Sequence, residues 1–343
     1  MGISNTSRSA LMSGSRKLVG LTALLLVDFL LLTGCNGEVR PIAAQSLQAG
    51  SVAWSAGQVI DTKTGTAVPR SEWEKALAQY DVIYLGEEHH NSHHIAAALE
   101  VLQAMLDQGR QPTLAMEMFG WDGQPALDEY LRSTEASRDH FLDRVLWKQN
   151  WGGPFEDYEP LVQFAKDHRL SVIALNPPKT LIRQVVQYGV TRMRERPDWG
   201  QWGMASETIV DDPAYRDRIL SQLQACHGGG APEGYQTMYE ASMVRDEGMA
   251  KTVATLVRAS EFKGHQAPGP IVSYTGGGHI QYKLPVPNRV LRRIPSDLKQ
   301  VTVYLSTFEP NRETELRDSM REGIADFIWL TPAGAQGSPK RCR

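Results

Sequence analysis

Short apolar runs alternate with amphipathic segments through most of the chain, which predicts buried parallel strands joined by helices. The run from Val82 to Leu85 comes first, apolar residues then recur at helical spacing from Ile95 to Leu106, and Gly109 is placed to end that helix. The further predicted strands are Thr113 to Met116, Ser171 to Leu175, Ile271 to Tyr274, Val301 to Leu305 and Asp326 to Leu330. This order predicts an α/β fold, a three-layer sandwich with a mainly parallel central sheet flanked by helices.

Smaller signals fill in the domain around these strands. Gln58 to Asp61 with a following Thr-Gly turn predicts a hairpin, and Ser71 to Glu74 matches a capping box that begins a helix. Pro160 is placed at a first helical position, and the segment from Val244 to Arg258 is periodic. Cys226 to Gly234, with three successive glycines, predicts an irregular loop.

The N-terminus has the pattern of an export signal. Basic residues precede an apolar run from Leu18 to Leu32, which is too short for a confident membrane span and contains Asp28. Leu-Thr-Gly followed by Cys35 resembles the bacterial lipobox, in which the cysteine thiol is acylated; the alternative is an ordinary signal peptide that contains a cysteine. Asn36 after it favours the outer membrane, by resemblance to the usual sorting pattern. Several acyl chains would anchor the protein to a membrane that it does not span.

These patterns divide the chain into four parts. Residues 1–34 are predicted to be the lipoprotein signal peptide, 35–55 a lipidated tether, 56–331 a single α/β domain and 332–343 a flexible tail. Cys226 and Cys342 remain for a disulfide in an oxidising periplasm, or for two unpaired thiols.

The overall composition is that of a globular protein. The chain has 343 residues, 41% of them hydrophobic and 22% charged, with a formal net charge of -3. This is enough apolar material for a sizeable core. No basic excess is present to neutralise phosphates, which excludes nucleic acid as an expected partner.

Polar residues follow four of the predicted strands directly. Ligands of open parallel sheets bind in the crevice beyond the carboxyl ends of the strands, so these residues are expected to converge there. They are Gly86, Glu87, Glu88 and His89 after the first strand, Glu117 after the second, Asn176 after the third, and Gly276 to His279 after the fourth.

Four of these residues form a candidate metal or acid–base centre. Gly-x-x-His occurs twice, ending in His89 and His279, and Glu117 lies in the apolar run LAMEMF, where a buried carboxylate needs a partner. Together with Glu87 they make an oxygen and nitrogen set that suits zinc, manganese or iron, or a metal-free acid–base cluster. The alternative is that the glycines only permit tight turns and the acids favour a helix N-terminus.

The other histidines of this stretch have a simpler interpretation. His90 and His94 lie four residues apart and are predicted to decorate a solvated helix face. His93 has the same ambiguity, and Asn91 or Ser92 is predicted to cap the helix.

The order of several motifs resembles the ChaN-like haem-binding lipoproteins, within the wider Tiki and erythromycin-esterase-like group. They are YLGEEHHNSHH, LAMEMF, LNPPKTLIR, RDEGMA and GGGHIQYKLPVPNRVLRR, and they cover Val82 to Arg293. The resemblance implies a three-layer α/β fold and a periplasm-facing lipoprotein that takes part in haem or iron uptake beside an outer-membrane haem receptor. It also implies a homodimer that holds two haems face to face. In that family a tyrosine ligates each iron, and a histidine and a lysine of the opposite subunit hold the propionates.

The resemblance assigns roles to residues of this chain. The candidate iron ligands are Tyr282, Tyr239 and Tyr235, since an axial tyrosinate suits ferric haem. Lys283 is the candidate propionate partner. Arg245, Asp246 and Asn176 are interpreted as supporting residues. After Lys283, a Leu-Pro-Val-Pro segment replaces the glycine-containing turn that is more usual in the family.

Three hypotheses follow for the function. The first is a lipid-anchored periplasmic protein that binds haem non-covalently, since no Cys-x-x-Cys-His is present. The second is a divalent-metal-dependent hydrolase in which Glu87 or Glu117 activates water and the histidines ligate, as the wider group implies. The third is a non-catalytic accessory to an outer-membrane complex. A serine esterase is disfavoured because no Gly-x-Ser-x-Gly elbow occurs.

Overall fold

The structure is a computed structural model, and it describes residues 53–226, 232–261, 269–294 and 297–334. Eight strands of these residues form one sheet, in the order β2-β1-β8-β7-β3-β6-β4-β5. The strands are β1 Val59–Asp61, β2 Thr66–Val68, β3 Val82–Glu87, β4 Thr113–Gly120, β5 Val172–Asn176, β6 Ile271–Gly276, β7 Gln300–Thr307 and β8 Phe327–Thr331. All pairs from β8 to β5 are parallel, and only the β1–β2 hairpin and its pairing with β8 are antiparallel.

Helices connect the strands on both sides of the sheet. The helices of the described residues are α1 Arg70–Leu77, α2 Ser92–Asp107, α3 Gln124–Arg132, α4 Arg138–Arg144, α5 Trp147–Asn150, α6 Glu159–Asp167, α7 Lys179–Met193, α8 Pro197–Gln201, α9 Pro213–Cys226, α10 Pro232–Glu261, α11 Val286–Arg293 and α12 Glu313–Arg321. Two short 3-10 turns, Gly277–His279 and Gln281–Lys283, follow β6. Helix α7 is interrupted at Gly189, whose φ is 75°.

The core consists of two apolar layers, one on each face of the sheet. One layer joins side chains such as Leu85, Met116 and Val303 to α2 and α6. The other joins Tyr84 and Ala115 to α10 and α11 on the opposite face. Burial on both faces explains the continuous apolar strand runs, and the predicted three-layer sandwich is confirmed.

The chain changes direction at the centre of the sheet. From β3 to β5 it moves toward one edge, and from β5 through β6 and β7 it returns toward the other, so that β6 lies between β3 and β4. Such a reversal opens a crevice at the carboxyl ends of the strands. The predicted strands are all found, but β3, β4 and β6 run two or more residues further than expected.

Two local predictions need correction. Ser71 does not cap α1, because the helix already begins at Arg70 after Pro69 and has no side-chain cap. The segment from Cys226 to Gly234 is not wholly irregular, since α9 extends to Cys226 and α10 begins at Pro232. Asn91 is confirmed as the cap of α2, where its side chain accepts a hydrogen bond from the His93 amide at 3.0 Å.

Several predictions fall on residues outside the described ones. These are the signal peptide, most of the tether with Cys35, and the tail beyond residue 334. Cys226 is disulfide-bonded, and the other two cysteines of the chain lie outside the described residues. Within the described ranges, no helix combines the length and the apolar character needed to cross a bilayer.

Candidate functional site

The crevice at the sheet reversal contains the predicted acids and histidines. Glu87 and Glu117 lie within β3 and β4, and His89 and His279 follow β3 and β6. A register shift interrupts the β4–β5 pairing between Met116 and Gly120, the segment that contains Glu117. Such bulges re-aim a side chain, here the carboxylate of a residue inside a buried strand. The four residues are therefore brought to one place, as their positions in the sequence predict.

Glu87 and His89 form one hydrogen-bonded pair. Glu87 is buried, and its Oε1 accepts from His89 Nδ1 at 2.7 Å and from the Tyr158 hydroxyl at 2.9 Å. Its Oε2 accepts from the Tyr274 hydroxyl at 2.6 Å. The carboxylate is thus held from three sides and fixes the His89 ring, with Nδ1 as the donor. His89 Nε2 lies on the side of Gly276, at the crevice.

Glu117 and His279 form a second, fully charged cluster. Glu117 Oε2 accepts a hydrogen bond from the Gly276 amide at 2.6 Å. Its Oε1 accepts a hydrogen bond from the Arg245 guanidinium and forms an ion pair with His279 Nε2 at 3.3 Å. His279 Nδ1 lies 2.6 Å from Asp246 Oδ1. Two carboxylates accept from the two ring nitrogens, so His279 is an imidazolium that carries a proton on each nitrogen.

Further polar partners complete this second cluster. The Tyr215 hydroxyl donates to Asp246 Oδ2 at 2.5 Å. Arg245 Nε donates to Asn176 Oδ1 at 3.0 Å, and Asn176 Nδ2 donates to the Glu117 carbonyl at 2.7 Å. Arg245, Asp246 and Asn176 therefore have the supporting contacts that their predicted role requires.

The charges shift the pKa values of the buried groups in opposite directions. Burial would raise the pKa of Glu117, but the charges of His279 and Arg245 hold it well below its usual value. Burial lowers the pKa of His279, yet Glu117 and Asp246 outweigh it and raise the pKa to about 9. Burial raises the pKa of Glu87 despite its hydrogen bonds from His89, Tyr274 and Tyr158. Neighbouring groups with pKa values moved apart are typical of functional sites.

His89 has a raised pKa of its own. Burial lowers the pKa, but the hydrogen bond to Glu87 and the charges of Glu117 and Glu87 together outweigh burial and raise the pKa above its usual value. Its side chain nevertheless keeps 41% of its surface exposed. Since the imidazole is held at Nδ1 and reaches solvent, it can exchange a proton with a ligand in the crevice.

A cavity of about 300 Å³ opens directly above the two clusters. Its apolar lining includes Trp151, Pro177 and Ile182, and its polar lining includes His89, His90, Glu117, Asn150, Asn176 and Arg245. Lys179, the first residue of α7, completes the wall. This combination of a few converging polar groups with apolar walls is typical of a small-molecule site.

The predicted metal centre is not supported. Among the described residues, no group of three or more His, Cys, Asp and Glu side chains is arranged to hold a metal ion. Glu87 and Glu117 instead use their oxygens as hydrogen-bond acceptors for tyrosine, arginine and histidine donors. These hydrogen bonds are contacts that the alternative hypothesis from the sequence, an acid–base cluster, also requires.

Of the neighbouring histidines, His94 contradicts its predicted exposure, whereas His90 is exposed as predicted but lies in the turn before α2. His94 is fully buried: its Nδ1 accepts from the Glu88 amide at 2.9 Å, and its Nε2 donates to Thr331 Oγ1 at 2.9 Å. Burial, with a contribution from His93, lowers its pKa to about 3, so it is a neutral structural link rather than a solvated side chain. His90 is 41% exposed at its side chain and pairs with Asp157 at 2.7 Å.

The three candidate iron ligands have different environments. Tyr239 is fully buried, with its hydroxyl donating to Asp211 at 2.6 Å, and Tyr235 is also buried. Tyr282 is only partly buried, and its hydroxyl lies 3.2 Å from Glu322. The Arg218 guanidinium carbon lies 3.3 Å from the centroid of the Tyr282 ring. None of the three lines the cavity above Glu117.

Tyr282 and Lys283 share an uncommon backbone conformation. Their φ angles are 57° and 61°, which is the left-handed region that bulky residues avoid. Two such residues in succession cost free energy, and conformations of this kind are concentrated at functional sites. The Tyr282 amide donates to the Ile324 carbonyl at 2.7 Å and Lys283 Nζ pairs with Asp326 at 2.5 Å, which fixes the segment against the end of α12.

Sequence reasoning missed several residues of the crevice. Tyr158 and Trp151 come from the segment between α5 and α6, where no strand end or motif indicates a site. Lys179 was more accessible to prediction, because it directly follows the two prolines after Asn176 and begins the next helix.

The fold and this crevice define a class: a three-layer α/β protein with a charged ligand-binding cleft at the carboxyl edge of a mainly parallel sheet. The chain matches the sequence model of the family described as haem-binding uptake, Tiki superfamily, ChaN, over residues 73–290. Since the match covers well over half of the chain, the protein belongs to this haem-binding uptake family.

One solved structure and one known protein show how similar this chain is to its relatives. The structure described as cofacial haem binding to ChaN of Campylobacter jejuni has a TM-score of 0.60 and 17% identity, and the match covers 79% of this chain and 95% of that one. This similarity supports the fold. Protein RETICULATA-RELATED 5, chloroplastic, of Arabidopsis thaliana is 25% identical over 285 residues, which is 76% of this chain and 35% of that protein. The chain thus spans about a third of the length of this plant relative.

Proposed function

We propose that the protein binds haem and takes part in haem or iron uptake as a lipid-anchored protein facing the periplasm. Membership of the haem-binding uptake family supports this proposal most directly. The related Campylobacter structure is described as binding haem cofacially. The lipobox at Cys35 is the sequence feature that favours the anchored location.

Tyr282 is the best-suited iron ligand of the three candidates. Its side chain is partly exposed, whereas Tyr239 and Tyr235 are buried. Burial raises the pKa of Tyr282, with a contribution from Glu322, and the adjacent Arg218 opposes this rise without reversing it. Lys283 is 42% exposed at its side chain and can exchange its partner Asp326 for a propionate. The residues present therefore fit a haem approached from this surface.

The first test is a haemin titration of the soluble domain without its lipid. We expect a saturable Soret shift in the wild type, and a loss of at least tenfold in affinity for Tyr282→Phe because the axial oxygen is removed. Tyr239→Phe is the matched control and should retain wild-type affinity. Equal titrations for the wild type and Tyr282→Phe would contradict the assignment of the ligand, and no saturation at all would contradict haem binding.

The location is tested at Cys35. The full-length chain should incorporate labelled palmitate and fractionate with the outer membrane, since two or more acyl chains anchor stably. Cys35→Ser should lose both the label and the membrane association. Cys226→Ser is the control and should keep the label. Retention of the label in Cys35→Ser would exclude this thiol as the lipidation site.

A second candidate function is acid–base chemistry in the crevice without a metal. The specific observation is the His89–Glu87 pair, in which a carboxylate orients a histidine whose other nitrogen faces a cavity. A histidine held in this way is the usual general base of hydrolases. Ester hydrolysis that survives chelators and is lost in His89→Gln would support it, and activity unchanged in His89→Gln would exclude it.

A further inference from the structure

The cavity above Glu117 has an unbalanced positive wall. The inner groups neutralise one another, because Glu87 pairs with His89, and Glu117 and Asp246 surround Arg245 and His279. Lys179 also lines the cavity and lies outside this balance. Within the described part of the chain, no carboxylate forms an ion pair with Lys179 or Arg183.

The position of these two cations within α7 is unfavourable. Lys179 is the first residue of the helix, and Arg183 follows one turn later on the same face. The N-terminal end of a helix carries the positive end of its dipole, where anions rather than cations are stabilised. Like charges four residues apart also repel each other. Folding therefore places one unpaired cation, Lys179, where the backbone already provides positive potential, and Arg183 adds a second positive charge one turn further along the helix.

The electrostatic effect on Lys179 is consistent with that geometry. Burial lowers its pKa, and the positive charges of Arg183 and Arg245 lower it further. An anion beside the ammonium would reverse the effect of these charges. The α7 N-terminus has no side-chain cap, although the Lys179 amide donates to Asn150 Oδ1 at 3.2 Å.

We propose that this cavity binds a small organic anion, with its carboxylate or phosphate group between Lys179 and the start of α7. The indole of Trp151 and the side chains of Pro177 and Ile182 provide apolar contact for the body of the ligand. A volume of about 300 Å³ suits a molecule with one flat ring. The proposal does not depend on haem binding at Tyr282, which lies outside this cavity.

Benzoate and phenyl phosphate are the probes, and benzamide is the neutral control. Isothermal titration calorimetry of the soluble domain should show saturable binding of at least one anion and binding of benzamide at least tenfold weaker. The preferred anion distinguishes a carboxylate ligand from a phosphate ligand. No saturable binding of either anion, or equal binding of benzamide, would overturn the proposal.

Variants assign the site to Lys179. Lys179→Gln should weaken the binding affinity for the preferred anion by about tenfold or more, because a charge-assisted hydrogen bond is lost. Lys148→Gln, at an exposed lysine of α5, is the matched control and should bind like the wild type. Neither variant should melt below the wild type, and Lys179→Gln should melt at the same or a slightly higher temperature because it removes an unfavourable charge. Undiminished anion binding by Lys179→Gln would show that the anion lies elsewhere and would reject the site.

Discussion

At the scale of single residues, the site depends on His279, which is charged because two carboxylates flank its ring. His279 is held between Asp246 and Glu117, and its side chain is only 16% exposed. At neutral pH it therefore acts as a fixed positive charge between two acids and is unsuited to accept a proton. His89, which is held at one nitrogen only, is the residue of the pair that can exchange a proton.

The charge on His279 predicts how stability depends on pH. Folding raises its pKa from 6.5 to about 9, so its stabilising contribution is complete below pH 6.5 and is lost as the pH rises through 9. The loss should be about 3 kcal/mol at most. Urea unfolding at several pH values from 6 to 10 measures it. His279→Gln should show a flatter alkaline limb, and an alkaline limb as steep as that of the wild type would show that other groups cause the dependence.

At the scale of elements, β3 and the turn after β6 are packed without room for a side chain between them. A Cβ on Gly86 would lie 2.5 Å from Ile280 Cδ1 and 3.0 Å from the Gly277 Cα. Ile280 is fully buried, so it has little space to move. The close contact brings the turn that carries His279 onto the strand that carries Glu87.

Gly86→Ala should therefore destabilise the protein by about 1–3 kcal/mol, as expected for overpacking of a buried contact. Gly278→Ala is the matched control, because nothing lies within 4 Å of its added Cβ, and it should change the stability by less than about 0.5 kcal/mol. Urea denaturation of both variants gives the comparison. Equal midpoints for the two would mean that the contact adjusts without cost.

The elements were more predictable than the site. Strands such as β3 and β6 are buried on both faces, so their continuous apolar runs are visible in the sequence. Their last residues, Glu87 and Gly276, resemble turn residues in the sequence. Hydropathy does not reveal that the Glu87 carboxylate is buried and satisfied by hydrogen-bond donors. Those donors, such as Tyr158, come from distant segments and leave no local pattern.

The roles of histidines were hardest to predict for the same reason. His94 and His89 lie in one short stretch with similar neighbours in the sequence, yet one links α2 to β8 and the other faces the cavity. Only the three-dimensional partners separate them. Glu117 was easier to predict, since an acid inside an apolar run indicates a buried carboxylate that needs a partner.

At the scale of the whole molecule, the family resemblance predicts that haem links two copies of the chain. We expect the haem-free domain to elute as a monomer and the haem-loaded domain as a dimer in size-exclusion chromatography with light scattering. Tyr282→Phe should remain monomeric with haem if the ligand assignment is correct. A wild-type domain that stays monomeric at saturating haem would exclude a haem-linked dimer.

The strand order also has a consequence for biosynthesis. The parallel partners of β3 are β6 and β7, so Val82 pairs with Ile271 and Gln300, and β4 pairs with β6 as well. The first half of a nascent chain can thus pair β4 with β5 but lacks both neighbours of β3. Such long sequence separation slows folding. The centre of the sheet can therefore close only after β7 has been made, which delays the native fold until nearly nine-tenths of the chain is available.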